Sequence, residues 1–128
     1  SIRKKREAFP GAPEKAVTGF TLVSVSPDEK FSLVNAVPFT GRTHQIRAHL
    51  SYAGYPVIGD KIYGSDEGIY LRYVEEGDSI DLENLAGFKR CALHSSYLKF
   101  YHPFAETFVE INAPLLPDME EFISMQRL

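Results

Sequence analysis

Residues 40–64, Thr-Gly-Arg-Thr-His-Gln-Ile-Arg-Ala-His-Leu-Ser-Tyr-Ala-Gly-Tyr-Pro-Val-Ile-Gly-Asp-Lys-Ile-Tyr-Gly, constrain the fold more than any other part of the chain. Two Arg, two His and one Asp stand there among four Gly. A buried polar group needs a partner and a Gly weakens regular structure, so this is neither a plain core strand nor one long helix. It reads as a short helix between loops, and as a site. Ile46, Leu50 and Ala53 recur at the spacing of one buried stripe, which predicts a helix over 43–53 that stops at Gly54. His44 and Arg47 lie on a neighbouring face, and Arg47, next to Ile46, falls at the edge of the core.

Around this stretch, strand and helix signals alternate. Residues 1–15 mix charge with Pro10, Gly11 and Pro13 and carry no apolar period, so they are expected to be a basic linker or flexible arm, with one structured domain over 16–128. Val17 to Val25 and Phe31 to Phe39 have strand composition, and Ser26, Pro27 and Asp28 supply a turn between them. Residues 66–91 hold apolar positions amid acidic ones and predict one or two short helices. Ala92 to His102 and Thr107 to Ala113 read as a second hairpin around the turn 103–106. Pro117, followed by Asp118, Glu120 and Glu121, starts a closing helix to 126, because Pro fits the first turn and carboxylates complement the helix dipole. The expected class is α+β: two antiparallel hairpins giving a mainly antiparallel sheet of about four strands, with flanking helices.

Composition excludes several classes. A chain of 128 residues with 44% hydrophobic and 24% charged content is that of an ordinary globular protein with a single core. No apolar run is long enough to span a bilayer, and none follows the basic Arg3 to Arg6 as a secretory signal requires. The lone Cys91 rules out an internal disulfide and suits a reducing compartment, with the cytoplasm as the default. The net charge of −3 argues against a chain that is basic all over. Basic spots at Arg42 with Arg47 and at Lys89 with Arg90 nevertheless leave room for a local basic face, beside the plainer reading of scattered surface charge. His44, His49, His94, His102 and Cys91 do not have zinc-ligand spacing.

Gly41-Arg-Thr-His-Gln-Ile-Arg47, Pro56-Val-Ile-Gly-Asp60 and Tyr63-Gly64 resemble the RluA-type RNA pseudouridine synthases. Ala92-Leu-His-Ser-Ser-Tyr-Leu-Lys-Phe-Tyr-His-Pro103 and Ala113-Pro-Leu-Leu-Pro117 resemble the closing segments of the same family, in the same order. Together the blocks cover most of the chain from Ala16 to Phe122. The resemblance implies an isomerase that converts uridine in rRNA or tRNA to pseudouridine by detaching the base, turning it and rejoining it through carbon, with no metal or organic cofactor. It also implies that the four strands are one side of a larger mixed sheet.

In that family the indispensable group is an Asp that follows His-Arg-Leu, well before the block at Gly41. This sequence has no such motif, so the chain is expected to be the C-terminal half of the catalytic domain and inactive alone. Arg47 matches the last Arg of the family block and is expected to pair with the absent Asp, lowering its pKa and fixing its orientation. Breaking such a desolvated pair costs about 3–5 kcal/mol. The competing reading of Arg47 is a surface helix Arg paired with some carboxylate, worth under about 1 kcal/mol.

Ile46 and Leu93 match apolar family positions at the uridine pocket, or are simply core. Arg42 contacts RNA phosphate, or caps local backbone at its turn. Gly41, His44, Gln45 and Asp60 are expected to support the site, the His and Gln by holding the helix and its turn, Asp60 through turn hydrogen bonds. A non-catalytic RNA-binding module using Arg42, Lys89 and Arg90 is the alternative. The expected partner is RNA, not a membrane, and the uncovered strand edge and apolar surface predict self-association.

Overall fold

The computed structural model describes residues 15–64 and 66–128. The expected basic arm therefore lies, apart from Lys15, outside the described residues. The remainder is α+β. Two strands, β1 (Thr18–Val25) and β2 (Ser32–Pro38), are followed by helices α1 (Gln45–Tyr52), α2 (Glu67–Glu76) and α3 (Ile80–Ala86). Strands β3 (Tyr97–His102) and β4 (Thr107–Asn112) and helix α4 (Pro117–Gln126) complete the order. The four strands form two two-stranded sheets, β1 with β2 and β3 with β4.

Local chemistry explains most element ends. Between β1 and β2 the buried Ser26 hydroxyl donates to Asp28 at 2.7 Å and accepts the Phe31 N–H at 3.0 Å, which fixes the turn. The two middle helices begin at side-chain caps, Asp66 accepting from Gly68 N–H and Ser79 from Leu82 N–H. They end at Gly77 and Gly87, both at positive φ. In the second hairpin Tyr97 pairs with Asn112 and His102 with Thr107, antiparallel.

Two boundaries and one buried face depart from the sequence reading. Helix α1 starts at Gln45 rather than Thr43, because His44 before it takes a left-handed φ of 60° that a helix cannot contain. Residues 92–96 carry no strand, so β3 begins at Tyr97. The buried side of α1 consists of Gln45 and Ala48, with Ile46 and Leu50 only half-buried and Ala53 exposed. The expected apolar stripe lost that place to a glutamine whose polar atoms are all engaged.

The chain divides into two compact units. One contains, of the described residues, 15–23 and Val34–Ala92, and its core gathers Ala48, Ile62 and Tyr63, with Tyr70 and Tyr73 packed against them. The other contains Ser24–Leu33 and Leu93–Leu128. There Phe31 meets Phe122 edge-on at 5.3 Å, and Met119 is the buried residue of α4. His94 and Ala113 are tied by an Nε2 to carbonyl contact of 3.0 Å. Among the described residues no helix is long and apolar enough to cross a membrane.

Candidate functional site

The site forms where α1 meets the turn at 58–64. Arg47 Nε donates to Asp60 Oδ2 and Nη2 to Asp60 Oδ1, each at 2.6 Å, a two-pronged contact that fixes both the distance and the plane of the guanidinium. The Asp60 side chain is fully buried, while that of Arg47 retains 18% exposure. Asp60 Oδ1 also accepts the N–H groups of Ile62 at 2.9 Å and Tyr63 at 3.0 Å, so the carboxylate is anchored by its own turn. The Cys91 thiol donates to Oδ2 at 3.7 Å. The Tyr63 ring lies 5.1 Å from the Arg47 guanidinium carbon, and its hydroxyl is 3.1 Å from His44 Nδ1.

Two glycines allow this turn to exist. Gly59 has φ +74°, and a Cβ there would overlap the Arg90 carbonyl, so only glycine lets the turn lie against residues 88–90. At Gly64 a Cβ would stand 2.7 Å from the Asp60 carbonyl oxygen, which accepts the Gly64 N–H at 2.9 Å. The spacing Gly-Asp-x-x-Tyr-Gly is thus the local code for a carboxylate presented from a closed turn.

Gln45 organises the other end of α1. Its Oε1 accepts from the Thr40 hydroxyl at 2.6 Å and the Arg42 N–H at 3.1 Å. Its Nε2 donates to the Val17 carbonyl at 2.9 Å and the Thr18 hydroxyl at 2.8 Å. One buried amide therefore ties the loop before the helix to the start of β1, with both its donors and its acceptor occupied. His49 joins it through a 3.0 Å contact from Nδ1 to the Thr18 hydroxyl. Gly41 lies in that loop, with open space where a Cβ would be.

The electrostatics follow from burial and the fork. Burial works against ionising Asp60, but the Arg47 hydrogen bonds and the Tyr63 and Ile62 N–H groups outweigh it and hold its pKa below the usual carboxylate value. Burial also works against the Arg47 charge, and the hydrogen bonds and charge of Asp60 more than offset it, raising its pKa. Burial, reinforced by the Asp60 charge, pushes the Cys91 thiol up to about 11. At neutral pH the cluster is an ion pair with a protonated thiol donating into it.

The expected site residues are thus partly brought together. Arg47, expected to pair with an absent Asp or with some local carboxylate, has its Nε–Nη2 edge taken by Asp60, and only Nη1 lacks a partner among the described residues. Asp60 makes the expected turn bonds and also, unforeseen in the sequence reading, the ion pair. Arg42 is exposed, and its Nε donates to the Lys15 carbonyl at 3.3 Å. Ile46 is half-buried on α1, next to Arg47 in sequence. Leu93 is 39% exposed and belongs to the second unit. Sequence reasoning passed over Tyr63 and Cys91 as members of the cluster.

No family model matches the chain. Its sequence is 39% identical over 88 residues to ribosomal large subunit pseudouridine synthase D of Xylella fastidiosa, covering 69% of this chain and 25% of that protein. The enzyme of the same name from Buchnera aphidicola (subsp. Schizaphis graminum) is 36% identical over 115 residues, covering 86% of this chain and 33% of the relative. The chain is similar to the large-subunit pseudouridine synthases, in line with its resemblance to the RluA type. Ribosomal large subunit pseudouridine synthase C of Vibrio vulnificus matches as well, at 37% over 102 residues, covering 77% of this chain and 29% of that protein. In these matches the chain spans about a quarter to a third of the relatives' length.

Proposed function

We propose that the chain carries the Arg47-presenting part of an RNA pseudouridine synthase that isomerises uridine in rRNA or tRNA in the cytoplasm, and that the catalytic Asp is supplied from outside these residues. The observation that carries the reading is the state of Asp60. Its carboxylate is fully buried and accepts from Arg47 Nε and Nη2, Ile62 N–H, Tyr63 N–H and the Cys91 thiol. A carboxylate so saturated has no lone pair to offer a ribose or a base. Asp60 is therefore not the nucleophile, whereas Arg47 keeps Nη1 for a second carboxylate.

In this reading Arg47 orients the nucleophilic Asp and keeps it ionised. The exposed Arg42 contacts RNA phosphate, which positions the strand without reading its sequence. Ile46 lines the pocket of the flipped-out uridine. Gly41, His44, Gln45 and Asp60 hold the helix and turn. The names of the relatives support rRNA as the substrate class. The 128-residue chain alone is inactive and self-associates, the latter supported by exposed apolar side chains such as Leu22 and Phe39, at 60% and 72%.

The test is isomerisation of a uridine-containing rRNA segment by the 128-residue chain and by the product of the whole open reading frame. Turnover by the longer product only is expected. Robust turnover by the chain alone would overturn the external nucleophile, and inactivity of both would overturn the enzymatic reading. RNA affinity of the longer product should fall with added salt, as phosphate contacts require.

A further inference from the structure

We infer that Asp60 is a positioning residue for isomerisation: it clamps one edge of Arg47 so that the remaining Nη1 is held in place for the catalytic carboxylate. The inference rests on the function proposed above for its consequence, though not for its geometry. An arginine side chain has many rotamers and, left alone at the edge of a core, would offer its guanidinium in many orientations. Here the Nε–Nη2 edge is fixed by two bonds of 2.6 Å to a carboxylate that cannot itself swing. Asp60 is held by the Ile62 and Tyr63 N–H groups at 2.9 and 3.0 Å, between Gly59 and Gly64 at their close backbone approaches.

The next residue extends the anchorage. Lys61 Nζ donates to the Lys89 carbonyl at 2.8 Å and pairs with Asp78 at 3.0 Å, tying the turn to two further segments of the same unit. Cys91 donates to the carboxylate as a neutral thiol rather than adding a second negative charge beside it. Rigidity thus passes from the turn through Asp60 to Arg47. The Tyr63 ring, with the guanidinium carbon 5.1 Å from its centroid, adds a cation–π contact.

The product of the whole open reading frame, its D60N and R47K variants and the double variant test this. The side-chain amide introduced by D60N keeps an acceptor oxygen for the Ile62 and Tyr63 N–H groups but turns an N–H toward Arg47 Nε, so the turn persists while the fork is lost. For uridine isomerisation, D60N is expected to lower kcat about tenfold or more with KM little changed, because a misplaced group costs rate rather than ground-state binding. The double variant should be no slower than R47K alone, since a clamp has nothing left to do once its fork is absent. A D60N kcat within about twofold of wild type, or additive losses in the double variant, would sink the inference.

A second readout is independent of activity. The Arg47 Nε–H NMR resonance should persist in the wild-type protein and be averaged away by water exchange in D60N. If the wild-type product fails to isomerise uridine, the functional reading falls; equal protection in the folded D60N protein would remove the clamp whatever the activity.

Discussion

At the scale of single residues, the conformation of one glycine and the proton on one thiol report on the same turn. Gly59 combines φ +74° with a backbone approach that a Cβ would overlap, so no rotamer change relieves a side chain there. Gly59→Ala is expected to destabilise the protein by at least about 2 kcal/mol, measured by urea unfolding. The Cys91 thiol, held up to about 11 in the fold, ionises near about 8.5 when unfolded. Between those values the unfolded chain has lost a proton that the folded chain retains, so stability declines as pH rises through that window. Unfolding at pH 8 and pH 10 should show the decline in the wild type and a weaker one in Cys91→Ala. Alkylation of the folded thiol should be slow at pH 8 and speed up toward the folded pKa.

At the scale of elements, α1 is instructive because its pattern and its packing disagree. Its apolar period points Ile46, Leu50 and Ala53 inward, yet Gln45 and Ala48 are buried. A polar side chain can occupy a buried face when every donor and acceptor is matched, and Gln45 meets that condition through Thr40, Arg42, Val17 and Thr18. Gln45→Ala should therefore cost about 1–3 kcal/mol, because it strands the Arg42 N–H and the Val17 carbonyl together. Hydrogen exchange at Arg42 N–H should speed up in the same variant. The two middle helices behave differently: their caps at Asp66 and Ser79 and their stops at Gly77 and Gly87 follow from local rules.

At the scale of the whole molecule, the apolar surface is the telling quantity. Leu22 and Phe39 in one unit, and Phe104 and Phe108 in the other, are each more than half exposed. The 128-residue chain is expected to associate as concentration rises, and sedimentation velocity over a range of loading concentrations checks this. A sedimentation coefficient constant across that range would count against self-association. The product of the whole open reading frame should show less of it, since the proposed function covers part of that surface with further chain.

The α+β class, the hairpin around Ser26 and Asp28, the turn at 103–106 and the helix from Pro117 were legible because each is written in neighbouring residues: a period, a cap, a turn. The polar and glycine content of the stretch 40–64 likewise made legible that it is a short helix between loops rather than a plain strand or one long helix. What the sequence could not reveal is who meets whom there. Arg47 and Asp60 are 13 residues apart, and Gln45 and Val17 are 28 apart. Nothing local makes Asp60 rather than another carboxylate the partner of Arg47. That choice belongs to the tertiary structure, because a hydrogen bond is decided by distance and direction in space, and only the folded turn against Arg90 brings Asp60 within reach.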